Sequence, residues 1–252
     1  MTPEITNILL LVLILALAHL VETTLGFGDT IISLALGLFL FPLEVLLPAL
    51  VALAILQSAW LVIRWHRQVN WRLLLITILP LAFAGMLGGI LIRDYAHETV
   101  LIIVLGVFII LVSSVELIGL HLSKSAAGPL PRCLAVPVLL GGGIFHGLFA
   151  TGGPLIVYYA GREIREPQAF LGTLAVLWLI LNVVLYATMW MAGSAGVQSL
   201  QLAGMVLPGF IAGVVIGSFI KIKELTFKTM TWSVLFVVGM IQLIRALSGS
   251  IN

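Results

Sequence analysis

Apolar runs separated by short polar or Pro/Gly-rich breaks organise the whole chain. They read as Ile8–Leu25, Thr30–Phe41, Val45–Ile63, Arg72–Ile92, Thr99–Leu120, Leu134–Ala150, Leu155–Ala160, Gln168–Met191, Leu200–Ile220 and Thr229–Leu247. The runs do not alternate with period two, so they predict helices rather than strands. Most approach the length of about 20 residues that a helix needs to cross a bilayer. Two regions depart from the pattern. Ile8–Phe41 is interrupted at Gly26-Phe27-Gly28-Asp29, and Leu134–Ala160 at Thr151-Gly152-Gly153-Pro154. The pieces after the breaks, Leu155–Ala160 above all, are too short to span.

Composition turns this pattern into a class. Of 252 residues, 62% are hydrophobic and 9% charged, against about 25% charged in a soluble domain. So few charges cannot cover the surface against water, so the surface faces lipid. The expectation is an all-α integral membrane protein with no extramembrane domain. A spanning helix satisfies its own backbone hydrogen bonds, which an open sheet edge in lipid cannot. The net charge of +2 comes without a basic cluster dense enough for nucleic acid. Cys133 is the only cysteine, so no intrachain disulfide forms. No Lys or Arg precedes the first apolar run, which meets His19 and Glu22 rather than a small-residue cleavage site. That run is expected to belong to the mature chain.

The two breaks correspond. A shift of 125 positions places Gly28 on Gly153, Pro42 on Pro167 and Gln57 on Asn182. A shift of 128 places Leu79-Pro80, Ala84, Gly85 and Gly89 on Leu207-Pro208, Ala212, Gly213 and Gly217. A near-constant offset argues for an internal repeat, beyond the general abundance of Gly and Pro in membrane helices. The halves are 1–122 and 134–252, joined by a linker over 123–133.

Lys and Arg set the expected orientation. Loop 64–72 carries Arg64, Arg67 and Arg72; loop 121–133 carries Lys124 and Arg132; loop 221–228 carries Lys221, Lys223 and Lys228. These are predicted cytoplasmic. Loops 42–44, 93–98 and 192–199 have no net positive charge and are predicted outside, with both termini. Loop 64–72 and its repeat mate 192–199 then lie on opposite sides, so the halves are inverted. Each half is a broken, re-entrant hairpin followed by three spanning helices. Inverted repeats with discontinuous helices are the build of many secondary transporters.

The candidate chemistry gathers at the breaks. His19 and Glu22 are three residues apart and share a helix face. An ionisable group at membrane depth commonly marks an ion or proton path, although Glu22 paired with His19 could equally seat a helix. Gly26, Phe27, Gly28 and Asp29 follow. Glycine lets the backbone leave the helix and approach a ligand. New helices are expected to begin at Asp29, a good N-cap, and near Pro154, since proline suits a first turn. Two helix N-termini at mid-membrane favour an anion. The competing reading is tight packing of small residues between helices. Gln57 and Asn182 are lone amides that the repeat superposes; they reach a ligand or bond between helices. His146, Thr24, Thr151, Gly152 and Gly153 complete the set. The expected substrate contacts are Thr24, Gly26, Phe27, Gly28, Gln57, Thr151, Gly152, Gly153 and Asn182. The expected coupling residues are His19, Glu22, Asp29 and His146.

Gly26-Phe27-Gly28-Asp29 also reads as the GxGD motif of intramembrane aspartyl proteases, with Pro48-Ala49-Leu50 as PAL. That chemistry needs two aspartates sharing a water. The only other one, Asp94, falls in a polar loop, and PAL lies closer to GxGD than in those families.

Gly147-Leu148-Phe149-Ala150-Thr151-Gly152-Gly153-Pro154-Leu155-Ile156-Val157-Tyr158-Tyr159 resembles the second-half signature of the sulfite exporter TauE/SafE family of permeases. Gly26-Phe27-Gly28 resembles its first-half break, although Asp29 stands where many members continue with glycine. The resemblance spans nearly the whole chain. It implies a permease for small sulfur-containing anions: sulfite, sulfonates such as sulfoacetate, or related oxoanions. The expected protein is a multi-pass inner-membrane secondary transporter working by alternating access, not an enzyme. It needs no cofactor and no metal, and has no Walker motif for direct use of ATP. Its partners are the anion and the lipid bilayer, and a homo-oligomer remains open. Proton coupling through Glu22, with His19 or Asp29, is the expected energy source. An anion channel and the GxGD protease are the alternatives.

Overall fold

The computed structural model describes residues 5–25, 27–121, 129–219 and 224–248, and all its regular elements are helical. They follow the apolar runs closely. The first half contains α1 (Ile5–Leu25), α2 (Asp29–Gly37), α3 (Leu43–Trp65), α4 (Trp71–Leu73), α5 (Leu79–Tyr95) and α6 (Glu98–His121). The second contains α7 (Arg132–Phe149), α8 (Gly153–Glu163), α9 (Pro167–Met191), α10 (Val197–Phe219) and α11 (Glu224–Leu247). Among the described residues, seven stretches are long and apolar enough to cross a membrane, and α11 adds a shorter apolar stretch, Thr231–Leu247. The chain is a multi-pass membrane protein. Exposed Leu9, Leu13, Ile63, Ile76, Leu111 and Ile244 present its outer faces to lipid.

Three local rules shape the helices. Proline starts them: Pro42 precedes α3, and Pro167 is the first residue of α9. Proline also deforms them. Pro80 has no N–H to donate and crowds the turn before it. The strain is absorbed by a π-helical turn over Leu74–Ile78, which joins α4 and α5 into one span, Trp71–Tyr95. Left-handed residues end them: Gly28 (φ 111°) lies between α1 and α2, and Ala150 (φ 55°) between α7 and α8. The helices after those breaks have 9 and 11 residues. At about 1.5 Å per residue they cover roughly 14–17 Å, about half the hydrocarbon core.

Packing is built on pairs. α1 lies along α10, α5 along α7, α3 along α9, and α6 along α11. Glycines set the first two pairs. A Cβ on Gly85 or Gly89 would collide with the Leu140 or Ile144 carbonyl of α7. One on Gly209 or Gly213 would collide with the Val12 or Ala16 carbonyl of α1. This is the close approach that small residues permit between membrane helices. The most buried spans are those of α3 and α9, at 61% and 56% of their apolar windows, against 33% for α1 and α10. The sequence singled out these two helices for Gln57 and Asn182, and they form the centre.

The connections segregate by face. Leu43, Glu44, Arg93, Asp94, Glu98, Ala192, Ser194 and Gln198 line one cavity of about 800 Å³. At the other end of α3, Asn70 N–H donates to Thr173 Oγ1 (2.9 Å), and Leu130 N–H donates to Glu163 Oε1 (3.3 Å). The expectations for Lys124, Lys221 and Lys223 lie outside the described residues; of the Lys228 side chain nothing is described.

Candidate functional site

The two breaks meet. Gly153, the first residue of α8, sits so close to Phe27 that a Cβ built on it would lie 3.3 Å from the Phe27 Cβ. Around this contact is a cavity of about 30 Å³, room for about one or two waters. Its walls include Glu22, Phe27, Gly28 and Asp29 from the first half, with His146, Thr151, Gly153 and Asn182 from the second.

The first-half wall is acidic. One donor atom each from His19, Glu22 and Asp29 lies within 4.8 Å of the others, and all three side chains are buried. Thr30 Oγ1 donates to Asp29 Oδ1 at 3.0 Å. His19 Nε2 has no hydrogen-bond partner, and Glu22 Oε2 has none outside Asp29. His19 Nδ1 is held by Gln57 Oε1. Gln57 Nε2 donates to Thr23 Oγ1 (3.1 Å), and Thr23 Oγ1 donates to the His19 carbonyl (2.7 Å). The His19 ring also meets Phe210 edge to face, with centroids 4.8 Å apart.

The second-half wall carries no acid. Thr151 Oγ1 is buried without a hydrogen-bond partner, and Asn182 Oδ1 and the ring nitrogens of His146 are buried with none but each other. Buried polar groups are almost always paired, so a polar ligand in this cavity would satisfy several of them at once. His146 stacks on Trp178, with centroids 5.5 Å apart and planes 17° apart. The N-terminus of α8 opens beside them. No acid stands in its first turn, whereas the first turn of α2 holds Asp29. The positive end of α2 is therefore already matched by its own carboxyl group, and the end of α8 is free for an anion.

The residues predicted from sequence separate accordingly. Glu22, Phe27, Gly28, Asp29, His146, Thr151, Gly153 and Asn182 reach the cavity, and His19 joins through the acidic cluster. Three predicted contacts sit elsewhere. The Thr24 hydroxyl turns back onto the Leu20 and Val21 carbonyls of its own helix. Gln57 is spent on His19 and Thr23. Gly152 packs against the Gly142 carbonyl, letting α8 start close to α7. Gly26 lies outside the described residues. Sequence reasoning missed Trp178 and Ala150. Trp178 precedes Asn182 by one turn of α9, a spacing that places both on one face. Asp94, the second aspartate a protease would need, is exposed near the end of α5 and bridges Arg93 at 3.4 Å, away from the cavity.

A multi-pass helical bundle whose two half-length helices converge on a buried polar cavity has the build of a membrane permease. The sequence matches the family described as sulfite exporter TauE/SafE over residues 11–241, and the chain belongs to that family. Searches of curated proteins and of solved structures return no match.

Proposed function

We propose that this permease carries a small sulfur-containing anion, such as sulfite, sulfoacetate or a related sulfonate, across the inner membrane by proton-coupled alternating access. The observation that carries the reading is the division of the cavity. His146, Thr151 and Asn182 stand beside the N-terminus of α8, in one cavity with Glu22 and Asp29. The first group suits an oxoanion: the Thr151 hydroxyl and a His146 N–H donate directly, and Asn182, whose Oδ1 only accepts, donates once its amide turns Nδ2 toward the ligand. The second repels it while both carboxyls are ionised. Proton binding removes that repulsion, and so links proton and anion in one cycle. Family membership supplies the sulfur chemistry.

Alternating access rests on two inverted halves, 1–122 and 134–252. In support, the pairs α1–α10 and α5–α7 are the same pair under the repeat, while α3–α9 and α6–α11 each join an element to its own mate. A two-fold relation generates that set. The loop residues at 43–44, 93–98 and 192–198 share one cavity, and α3, about 34 Å long, separates them from Arg64 and Arg67. That separation supports opposite sides for loop 64–72 and its mate 192–199, and the arginines of loop 64–72 favour the cytoplasm for it.

Binding by the purified protein tests the substrate class. Calorimetry with sulfite, sulfoacetate, taurine and sulfate is expected to show saturable binding of at least one sulfur anion. Gly153→Val, which drives a branched side chain into Phe27, is expected to weaken it at least ten-fold. Gly204→Ala, at an open helical position, should leave it unchanged. Wild-type affinity in a folded Gly153→Val protein contradicts the site.

A further inference from the structure

From the acidic side of the cavity we infer that His19, Glu22 and Asp29 form a binding site for a divalent transition-metal ion of the Zn²⁺ class. Their donor atoms lie within 4.8 Å of one another, and the three side chains are 1%, 3% and 8% exposed. Two further observations point to a ligand. His19 Nε2 is buried and has no partner, and Glu22 Oε2 has none outside Asp29, a member of the same cluster.

The imidazole is prepared for a metal by the residues behind it. The Thr23 hydroxyl spends its hydrogen on the His19 carbonyl, so its oxygen accepts from Gln57 Nε2. That orients Gln57 Oε1, an acceptor only, toward His19 Nδ1. Nδ1 must then carry a hydrogen, and in the neutral ring Nε2 keeps its lone pair. A histidine that binds metal through one nitrogen and donates the other N–H to a fixed oxygen is the usual outer-shell arrangement. Gln57 is thus a positioning residue, not a ligand.

The donor set selects the ion. Imidazole suits Zn²⁺, Cu²⁺ and Ni²⁺ better than Na⁺, Mg²⁺ or Ca²⁺, which prefer oxygen throughout. Two carboxylates and a neutral imidazole balance a dication, which is the cheapest state for these groups in a low-dielectric interior. Ligands about 2.1 Å from one tetrahedral Zn²⁺ stand roughly 3.4 Å apart, so a pair at the full 4.8 Å must close by about 1.4 Å. Rotation of the Glu22 or Asp29 side chain supplies that movement. Three protein ligands leave a fourth position, and Glu22 and Asp29 also wall the cavity. Metal and protons use the same atoms, so they compete. The effect on transport rests on the coupling role proposed for this cluster; the binding itself does not.

Calorimetry and elemental analysis with Zn²⁺ decide it, on the full-length protein in detergent after chelation and dialysis. Cys133→Ser, His66→Ala and His97→Ala in the background remove three exposed donors. The expected result is one tightly bound equivalent, weakened at least ten-fold by either Glu22→Gln or Asp29→Asn, with protons released on binding. No bound equivalent, or one indifferent to both substitutions, overturns the proposal. In vesicles, Zn²⁺ should slow transport more at pH 8 than at pH 6. Glu22-dependent metal binding that leaves transport untouched would retain the metal site and count against the coupling role.

Discussion

Gln57 and Asn182 illustrate how much a residue's surroundings decide. They occupy equivalent positions of the repeat, and both are buried polar side chains. Gln57 is held at both ends by His19 and Thr23, whereas Asn182 has only His146 near its Oδ1 at the cavity. The sequence showed two lone amides at matching offsets. It could not show which one faced a bonding partner, because those partners come from α1, more than 30 positions away. Their leucine variants should therefore diverge. Gln57→Leu leaves the Nδ1–H of His19 unpaired in the interior, which costs about 1–3 kcal/mol; a lower thermal midpoint in detergent is expected. Asn182→Leu removes at most a contact with His146, so the midpoint should fall less than in Gln57→Leu while anion affinity falls at least ten-fold. A large loss of stability in the Asn182 variant, with affinity kept, would reverse the assignment.

At the scale of elements, hydropathy sufficed for every helix. The ten apolar runs match the observed helices to within a few residues at most ends, because a bilayer admits few alternatives to a helix. The short α2 and α8 were legible for the same reason: a Gly- or Pro-marked break left too few residues to span. The helix partners were less legible, since packing among apolar helices follows shape rather than hydropathy. Only the glycine offset hinted at them. Gly85 and Gly213 are mates in the repeat, and each holds its helix against the neighbour's backbone. Valine at either position overpacks the contact, with an expected cost of about 1–3 kcal/mol. Gly88, with nothing near its Cβ position, should accept alanine without loss. Thermal unfolding of the three variants in one detergent checks this, and equal midpoints for all would show that the glycines do not set the helix spacing.

For the whole molecule, the two glycine-marked breaks meet at one cavity and differ in chemistry. The first break carries the carboxyl groups and the second carries donors without an acid. This division was only half legible. Asp29 after Gly28 stood out in the sequence, but its burial beside Glu22 and its place on the wall opposite Asn182 required the fold. The division also gives the two sides of the membrane different access if the halves are inverted. In a Cys133→Ser background, Arg67→Cys and Gln198→Cys should react with a membrane-impermeant thiol reagent from opposite sides. Labelling from one side would remove the inversion, and the alternating-access scheme with it. The central claim is that Glu22 carries the coupling proton for a sulfur anion bound at the second break. Its most direct test compares two modes of transport in proteoliposomes, using the anion that binds best. Wild-type protein should accumulate it against its gradient when a proton gradient is imposed, whereas Glu22→Gln should lose accumulation yet retain exchange of internal for external anion. Accumulation by Glu22→Gln equal to that of the wild type would contradict the account.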